Sequence, residues 1–324
     1  MLDKRPDHAD DSGGHRADRN LHTGSERLPM EPRQRSVQRQ HVQRSIAADV
    51  GNDEHQQAER NRGGTENIVP VPGERDVRIA VRPIHELRAQ GVLLVPLREI
   101  VDALLAGQGD RLPERVAALT LDDGLDFDFI DLVHPHHGPQ ASVRTVLERH
   151  ERLTGDAVHA TSFVIASPEA RRQIADREML GHQWIGDHWW AAAVTSGRFD
   201  IGNHGWDHVS PSVTPVAERD GRSGSFRHVE TFAEADRQVR VAREFIAARA
   251  PNPGTAFFAY PYGVPSDYAA NDYLPRHGEQ HGTTAAFTGR PEPIHAQSNR
   301  WRLPRYTCGM DWHSTSELVR IVRG

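Results

Sequence analysis

Short apolar runs alternate with polar, helix-like stretches beyond residue 75, and this alternation limits the possible folds more than any other feature of the sequence. A length of about four to eight residues and flanking turn residues are typical of strands that are buried on both faces. The runs are VAALTL, HATSFVIA, RFDIGNH, TAFFAYPYG and AAFTG. Strands that alternate with helices predict an α/β fold around a parallel sheet, either open or closed into a barrel.

The stretches near and between these runs carry apolar residues at helical spacing. IHELRAQG and PLREIVDALLAGQG have apolar residues three and four apart and end in glycine, as helices with a C-terminal stop do. TFAEADRQVRVAREFIAARA predicts a longer helix with one apolar stripe. The predicted stripe comprises Phe232, Val239, Ala242, Phe245 and Ile246.

Residues 1–75 have a different composition, rich in Arg, Gln, Asp, Gly and His, with only scattered apolar residues. The first aromatic residue among Phe, Trp and Tyr is Phe127. Such a segment buries too little apolar surface to offset the entropy lost on ordering. We therefore predict that residues 1–75 are a disordered extension, or a segment that precedes the natural start of the protein. Residues 76–324 are predicted to form the folded domain.

The overall composition excludes several classes of partner and site. The formal net charge of -6 and pI of 6.4 give no basic field for nucleic acid or an anionic membrane. One cysteine, Cys308, excludes an internal disulfide framework and a multi-thiolate zinc cage, and we expect it to be a buried thiol. No segment has the roughly 20 apolar residues of a membrane span, and the first thirty residues lack a signal-peptide core. The sequence as written predicts a cytoplasmic protein, whereas a different start would allow secretion.

The first run ends in two adjacent carboxylates, Asp122 and Asp123, before a turn at Gly124. Ligands of parallel α/β folds bind at the carboxyl ends of the strands, so the pair lies where a site is expected. Successive side chains at a strand end point in different directions and can serve different tasks. Two ionised neighbours repel each other, and a cation beside one of them relieves that repulsion. The alternative is a plain Asp-Asp-Gly turn in which one aspartate caps the next helix.

Two more motifs follow later runs. His204 and His208 are four apart, so two imidazoles could reach one ion from a helical turn or a tight loop. Together with Asp123 they would supply three ligands to the ion. Its remaining coordination positions would stay open for water and substrate, as in a catalytic site. In FFAYPYG, Pro261 fixes the backbone before a tyrosine and a glycine and could hold an N–H pointing into a cleft. The alternatives are two unrelated surface histidines and a plain turn.

Taken together, these motifs resemble those of the polysaccharide deacetylase family, also called the NodB-homology or carbohydrate esterase family 4. The family motifs read T-F-D-D-G, H-[ST]-x-x-H and R-x-P-[YF], and RWRLPRY resembles the strand that closes many such domains. The resemblance covers roughly residues 79–322. It implies a distorted (β/α)7-type barrel and hydrolytic removal of an acyl group from an amide, with an N-acetylated carbohydrate as the expected substrate.

The resemblance also implies roles for individual residues. Asp123, His204 and His208 would hold a divalent ion, with zinc as the expected metal. Asp122 would be the general base, and the backbone N–H of Tyr262 would share the developing oxyanion with the metal. Three residues are candidates for contact with the substrate. They are Pro261, Trp206 and Trp184.

The sequence departs from the family pattern in four places. Leu121 replaces a phenylalanine, which is a tolerable core exchange. Gly205 stands where a serine or threonine braces the second histidine, and Ala259 stands where an arginine orients the base. Arg302 or Arg305 could reach the base instead, although an arginine on a terminal strand is more often a surface ion pair. The fourth departure is the missing L-x-H motif, for whose histidine acid the candidates are His295 and His313.

Aromatic and histidine clusters allow several interpretations. GHQWIGDHWW could form a wall against a sugar, or Trp189 and Trp190 could pack a helix onto the barrel. VHPHHGPQ is expected to be a solvated insertion loop rather than a second metal cluster. Alternative functions are hydrolysis of a small amide or cyclic imide on the same scaffold, or binding without catalysis. The sequence does not indicate the oligomeric state.

Overall fold

The structure is a computed structural model that describes residues 74–179, 181–214 and 223–323. Apart from its last two residues, the predicted extension lies outside this part of the chain, so the expectation for it stays a prediction. The strands are β1 (Leu93–Leu94), β2 (Val116–Ala117), β3 (Leu119–Leu121), β4 (Leu132–His134), β5 (Gly138–Gln140), β6 (Ala160–Val164), β7 (Phe199–Asn203), β8 (Phe257–Ala259) and β9 (Ala285–Phe287). The α-helices are α1 (Glu74–Ala89), α2 (Leu97–Leu105), α3 (Val143–Thr154), α4 (Pro168–Glu178), α5 (Trp190–Thr195), α6 (Phe232–Asp236), α7 (Ala242–Arg249), α8 (Leu274–Arg276), α9 (Gly278–His281) and α10 (Thr315–Arg323). None of these helices combines the length and the apolar character that crossing a membrane requires.

A five-stranded parallel sheet forms the centre of the fold, in the spatial order β3, β6, β7, β8, β9. β6 and β7 pair over their full length, with Ala160 opposite Phe199, and every residue of both strands is buried. β1 and β2 form a second parallel pair, and Leu303 pairs with Phe287 beyond β9. Each predicted apolar run contains one strand of the sheet. The predicted fold class, an α/β fold built on a distorted, barrel-like parallel sheet, is confirmed.

The long predicted helix is present, but a π-helical turn at Arg237–Val241 divides it into α6 and α7. Val239, Ala242 and Ile246 are buried, as the predicted stripe requires. Phe232 is 43% exposed. The extra residue of a π-helical turn rotates the upstream part of the helix by about 100°, which takes Phe232 out of the stripe.

Two local predictions are wrong. VHPHHGPQ is not an entirely solvated loop, because β4 and β5 pair antiparallel within it. His134 is buried, and its ring centroid lies 5.6 Å from that of Trp184. The turn residues that follow, including His136 and His137, are exposed as expected. Cys308 is exposed rather than buried, because it follows the last paired residue of the sheet and lies in a turn that an isolated bridge to Trp312 closes.

Candidate active site

The loop after β3 carries Asp122 and Asp123. Asp123 and Gly124 both have left-handed backbone conformations, with φ of 74° and 73°. Position 124 requires glycine because a Cβ there would lie 2.6 Å from Cγ1 of Val164 at the end of β6. As a result of this sharp turn, the two carboxylates face different partners, an arginine for Asp122 and two histidines for Asp123.

The loop after β7, residues 204–209 and here called the histidine loop, brings His204 and His208 to Asp123. Oδ1 of Asp123 lies 3.5 Å from Nε2 of His204 and 3.3 Å from Nε2 of His208. One ligand atom from each of the three residues lies within 4.8 Å of the others. Tetrahedral zinc with bonds of about 2.0–2.1 Å would separate its ligands by about 3.3 Å, so the separations of 3.5 and 3.3 Å suit such an ion.

A backbone carbonyl orients His204. Its Nδ1 lies 2.9 Å from the carbonyl oxygen of Ala259, which can only accept, so Nδ1 carries the proton and Nε2 keeps its lone pair for a metal. Burial lowers the pKa of His204, against the opposing effect of Asp122, which also favours the neutral ligand form. Sequence reasoning missed this contact, because every residue has a carbonyl and no residue type marks it.

Unusual backbone conformations cluster around these residues. Among the described residues, the non-glycine positions with positive φ are Asp123, His208, Val209 and Tyr262. A left-handed conformation costs a non-glycine residue roughly 1–2 kcal/mol. Such a conformation persists only where the surrounding structure imposes it. Tyr262 has φ of 62° within the turn Pro261–Gly263, and its ring centroid lies 4.5 Å from that of His208. The third motif therefore borders the same site.

Arg305 holds Asp122 in a bidentate contact. Its Nη1 and Nη2 donate to the two carboxylate oxygens at 2.7 and 2.8 Å, and its Nε donates to the carbonyl of Thr288 at 3.3 Å. Burial raises the pKa of Asp122, but the Arg305 guanidinium and the nearby imidazoles outweigh this effect and hold that pKa at about 2. Of the two arginines considered for this contact, Arg302 instead donates to Asp267 at the surface.

The two candidates for the histidine acid are both exposed. The backbone N–H of His313 donates to Glu317 at 2.6 Å, and that of His295 donates to the hydroxyl of Ser298 at 2.9 Å. These contacts lie at the surface, and they single out neither histidine as the acid.

The tryptophans occupy different environments. Trp189 and Trp190 are buried in the core, which agrees with the packing interpretation. Trp206 packs edge-on against Phe245 of α7. The half-buried Trp184 stacks on the exposed ring of His182, with centroids 4.2 Å apart and planes inclined by 3°. Both tryptophans predicted to contact substrate are partly buried and pack against core clusters, and Trp184 also lies beside the exposed ring of His182.

Asp128 is a buried carboxyl close to the two aspartates of the first motif. It is 6% exposed, and the hydroxyl of Ser162 donates to it at 2.6 Å. Burial raises its pKa to about 8, and the charges of Asp123 and Asp122 add to this effect. The folded chain therefore keeps a proton on Asp128 at pH values at which the unfolded chain has lost it.

Asparagine at position 128 is expected to stabilise the metal-free protein increasingly as the pH rises. Because the folded pKa is raised, the wild type loses stability between the ordinary value of 3.8 and about 8, and the loss levels off above that. Each pKa unit corresponds to about 1.4 kcal/mol, so Asp128→Asn should gain a few kcal/mol near pH 8 and much less near pH 5. Denaturant unfolding at the two pH values measures this. Asp102→Asn, at an exposed position of α2, is the control, and an equal gain at both pH values would contradict the prediction.

The sequence matches the family model described as polysaccharide deacetylase over residues 109–282, more than half of the 324-residue chain. No curated protein matches it. Among solved structures, Streptococcus pyogenes deacetylase PplD in complex with acetate is 15% identical, with a TM-score of 0.49, over 79% of this chain and 93% of its own. A polysaccharide deacetylase from Bacillus cereus is 14% identical, with a TM-score of 0.48, over 76% of this chain and 61% of its own.

A Bacillus anthracis chain is 13% identical, with a TM-score of 0.49, again over 76% of this chain and 61% of its own. The chain thus spans about three-fifths of the length of these two Bacillus proteins. The structural likenesses do not carry the family assignment, which rests on the sequence match. Since that match covers more than half of the sequence and contains all three motifs, the chain belongs to the polysaccharide deacetylase family.

Proposed function

We propose that this protein is a metal-dependent hydrolase that removes an acetyl group from the amide nitrogen of an N-acetylated carbohydrate. One observation carries the proposal: a carboxylate held by an arginine lies beside a separate set of three metal-ligand atoms. The set is Asp123, His204 and His208, and Oδ2 of Asp122 lies 4.0 Å from Nε2 of His204. A structural ion pair alone would not require this second, differently partnered carboxylate.

Zinc is the ion that we propose for the three ligands, because two imidazole nitrogens and one carboxylate oxygen are a common donor set for catalytic zinc. When bound, the ion supplies Lewis acidity, which lowers the pKa of a coordinated water and polarises an acyl carbonyl. Asp123 contributes a negative charge to the site, and the Ala259 carbonyl keeps His204 in the tautomer that can bind.

Asp122 is proposed as the general base. With a pKa of about 2 it is ionised at neutral pH and can accept a proton from the attacking water. Arg305 contacts both of its oxygens, so the carboxylate cannot turn toward the metal ligands without losing a charge-assisted hydrogen bond. A positioned general base contributes roughly a hundred- to ten-thousand-fold to the rate.

The backbone N–H of Tyr262 is proposed to stabilise the oxyanion that develops on the acyl oxygen. Pro261 limits the backbone before it, and the left-handed conformation of Tyr262 gives its N–H a direction that an ordinary strand would not give. The adjacent ring of His208 brings this turn beside the proposed metal ligands. Removing one donor of this kind typically costs about 3 kcal/mol of transition-state stabilisation.

The proposed carbohydrate contact is on the side of Trp184. The N–H of Asp126, three residues after Asp123, donates to the Trp184 carbonyl at 2.8 Å, so the stacked pair of Trp184 and His182 lies near the loop after β3. Aromatic faces with polar edges suit the apolar face of a sugar ring. Trp206 contacts Phe245 of α7, and we therefore assign it to packing.

The test compares zinc-loaded with chelator-treated protein on N-acetylglucosamine oligomers, a simple N-acetylated amine and a cyclic imide. We expect zinc-dependent acetate release, fastest with the oligomers. Opening of the imide without acetate release from any sugar would instead establish the small-substrate alternative. Full zinc occupancy without hydrolysis of any of the three would leave a binding function.

A further inference from the structure

Gln238 lies in the π-helical turn between α6 and α7 and is 1% exposed. Both ends of its amide contact the histidine loop. Its Oε1 accepts from the backbone N–H of Trp206 at 2.8 Å, and its Nε2 donates to Oδ1 of Asp207 at 2.8 Å. Gln238 thus holds the two residues that immediately precede His208.

The orientation of this amide follows from its partners. If the oxygen and nitrogen exchanged places, an NH₂ group would face the N–H of Trp206, and the oxygen would face the Asp207 carboxylate. Both contacts would be repulsive, so the contacts fix a single orientation. Because the side chain is buried, losing either bond leaves an unsatisfied polar group that water cannot reach, which is unfavourable.

Backbone N–H groups after β6 also hold the histidine loop. The N–H of Ala166 donates to the Gly205 carbonyl at 3.0 Å, and that of Ser167 donates to the Trp206 carbonyl at 2.7 Å. The Val239 carbonyl of the π-helical turn also accepts a bond at 2.8 Å from the side chain of Asn203, the last residue of β7 before the loop. The loop therefore lies between the end of β6 and the π-helical turn, with hydrogen bonds to both.

Glycine at position 205 makes room for the glutamine. Gly205 has φ of +89°, and a Cβ there would lie 2.8 Å from Oε1 of Gln238. A serine or threonine at this position would displace the Gln238 oxygen from the N–H that it accepts. Gly205, which departs from the H-[ST]-x-x-H pattern, therefore leaves the space that the buried Gln238 side chain fills.

We propose that Gln238 is a positioning residue of the metal centre, which fixes the separation of His204 and His208 through the three residues between them. The inference rests on the proposed metal site. Its physical basis is that the segment between the two histidines is bonded both to the residues after β6 and to the π-helical turn, which restricts the movement of one histidine backbone relative to the other. Loss of such supporting contacts typically weakens metal binding about 10- to 100-fold.

The test uses Gln238→Met, which keeps the length of the side chain and removes both bonds, and Gln238→Glu, which sets a carboxylate against Asp207. Gln173→Met is the matched control, since Gln173 accepts from the N–H of Thr214 at 2.8 Å and donates to Glu169 at 2.7 Å, in contacts at the surface of α4. Zinc dissociation constants come from chelator competition. The visible spectrum of the cobalt-saturated protein reports the ligand geometry, and near-UV circular dichroism reports folding.

We expect both Gln238 variants to bind zinc about 10- to 100-fold more weakly, with a shifted cobalt spectrum, and the control to match the wild type. Gln238→Glu keeps the shape of the side chain. If Gln238→Met does not fold, the zinc affinity and cobalt spectrum of Gln238→Glu are the deciding measurements. Folded Gln238 variants with wild-type zinc affinity and cobalt spectrum would overturn the inference and leave the proposed function intact. A wild type that binds no metal would overturn both.

Discussion

Asp122→Asn is expected to lower kcat for acetyl release by roughly a hundred- to ten-thousand-fold while leaving the zinc content at its wild-type value. Asparagine keeps the size of the side chain and can still accept from Arg305, but it cannot take up a proton. The measurement is acetate release from an N-acetylglucosamine oligomer at saturating substrate, with metal determined in the same preparation. Unchanged kcat at full zinc occupancy would remove Asp122 from the role of base.

Arg305→Met supplies a second readout for the same step. The guanidinium lowers the pKa of Asp122, so its removal should raise that pKa. Since the ionised form is the active base, the acid limb of the pH–rate profile should move to higher pH. A variant whose kcat falls without any movement of this limb would limit Arg305 to a structural role.

His204→Ala is expected to weaken zinc binding by more than about a hundredfold, since loss of a ligand should exceed the loss caused by a supporting contact. The variant removes one of the three proposed ligands, the histidine whose tautomer the Ala259 carbonyl sets. Chelator competition gives the dissociation constant, and acetate release should fall with occupancy.

His281→Ala is the control for that variant. His281 is also fully buried, and its Nε2 lies 3.0 Å from the Leu274 carbonyl, outside the proposed centre. Both substitutions create a cavity, so their effects on stability should be comparable, whereas only His204→Ala should lose metal. Equal zinc affinity in the two variants would exclude His204 from the ligand set.

The parallel sheet was predictable because strands buried on both faces have nearly continuous apolar sequences bounded by turns. The exposure of Phe232 was not predictable, because a π-helical turn adds one residue within a sequence whose spacing still fits an α-helix. The hairpin of β4 and β5 was also missed. β5 contains a glycine and a proline, which disfavour strands, and the burial of His134 depends on Trp184, which is distant in the sequence.

The proposed metal ligands could be chosen from the sequence because the resemblance to the family motifs implies them, and all three follow strands of one parallel sheet. The partner of Asp122 could not be chosen, because Arg305 is 183 residues away and equally suited to a surface ion pair. Gln238 carries no recognisable signal either. Its role follows from the space that Gly205 leaves, and the sequence alone gives no distance between the two.

The left-handed residues around the site have a consequence for exchange of the ion. Asp123, His208 and Tyr262 have left-handed backbone conformations, which non-glycine residues keep only where the surrounding structure imposes them. Chelation should therefore leave the three loops in place, and an empty site should refill with cobalt or zinc at similar rates. This backbone therefore implies a rigid, preformed site that either ion can enter, rather than a site that forms only when an ion binds.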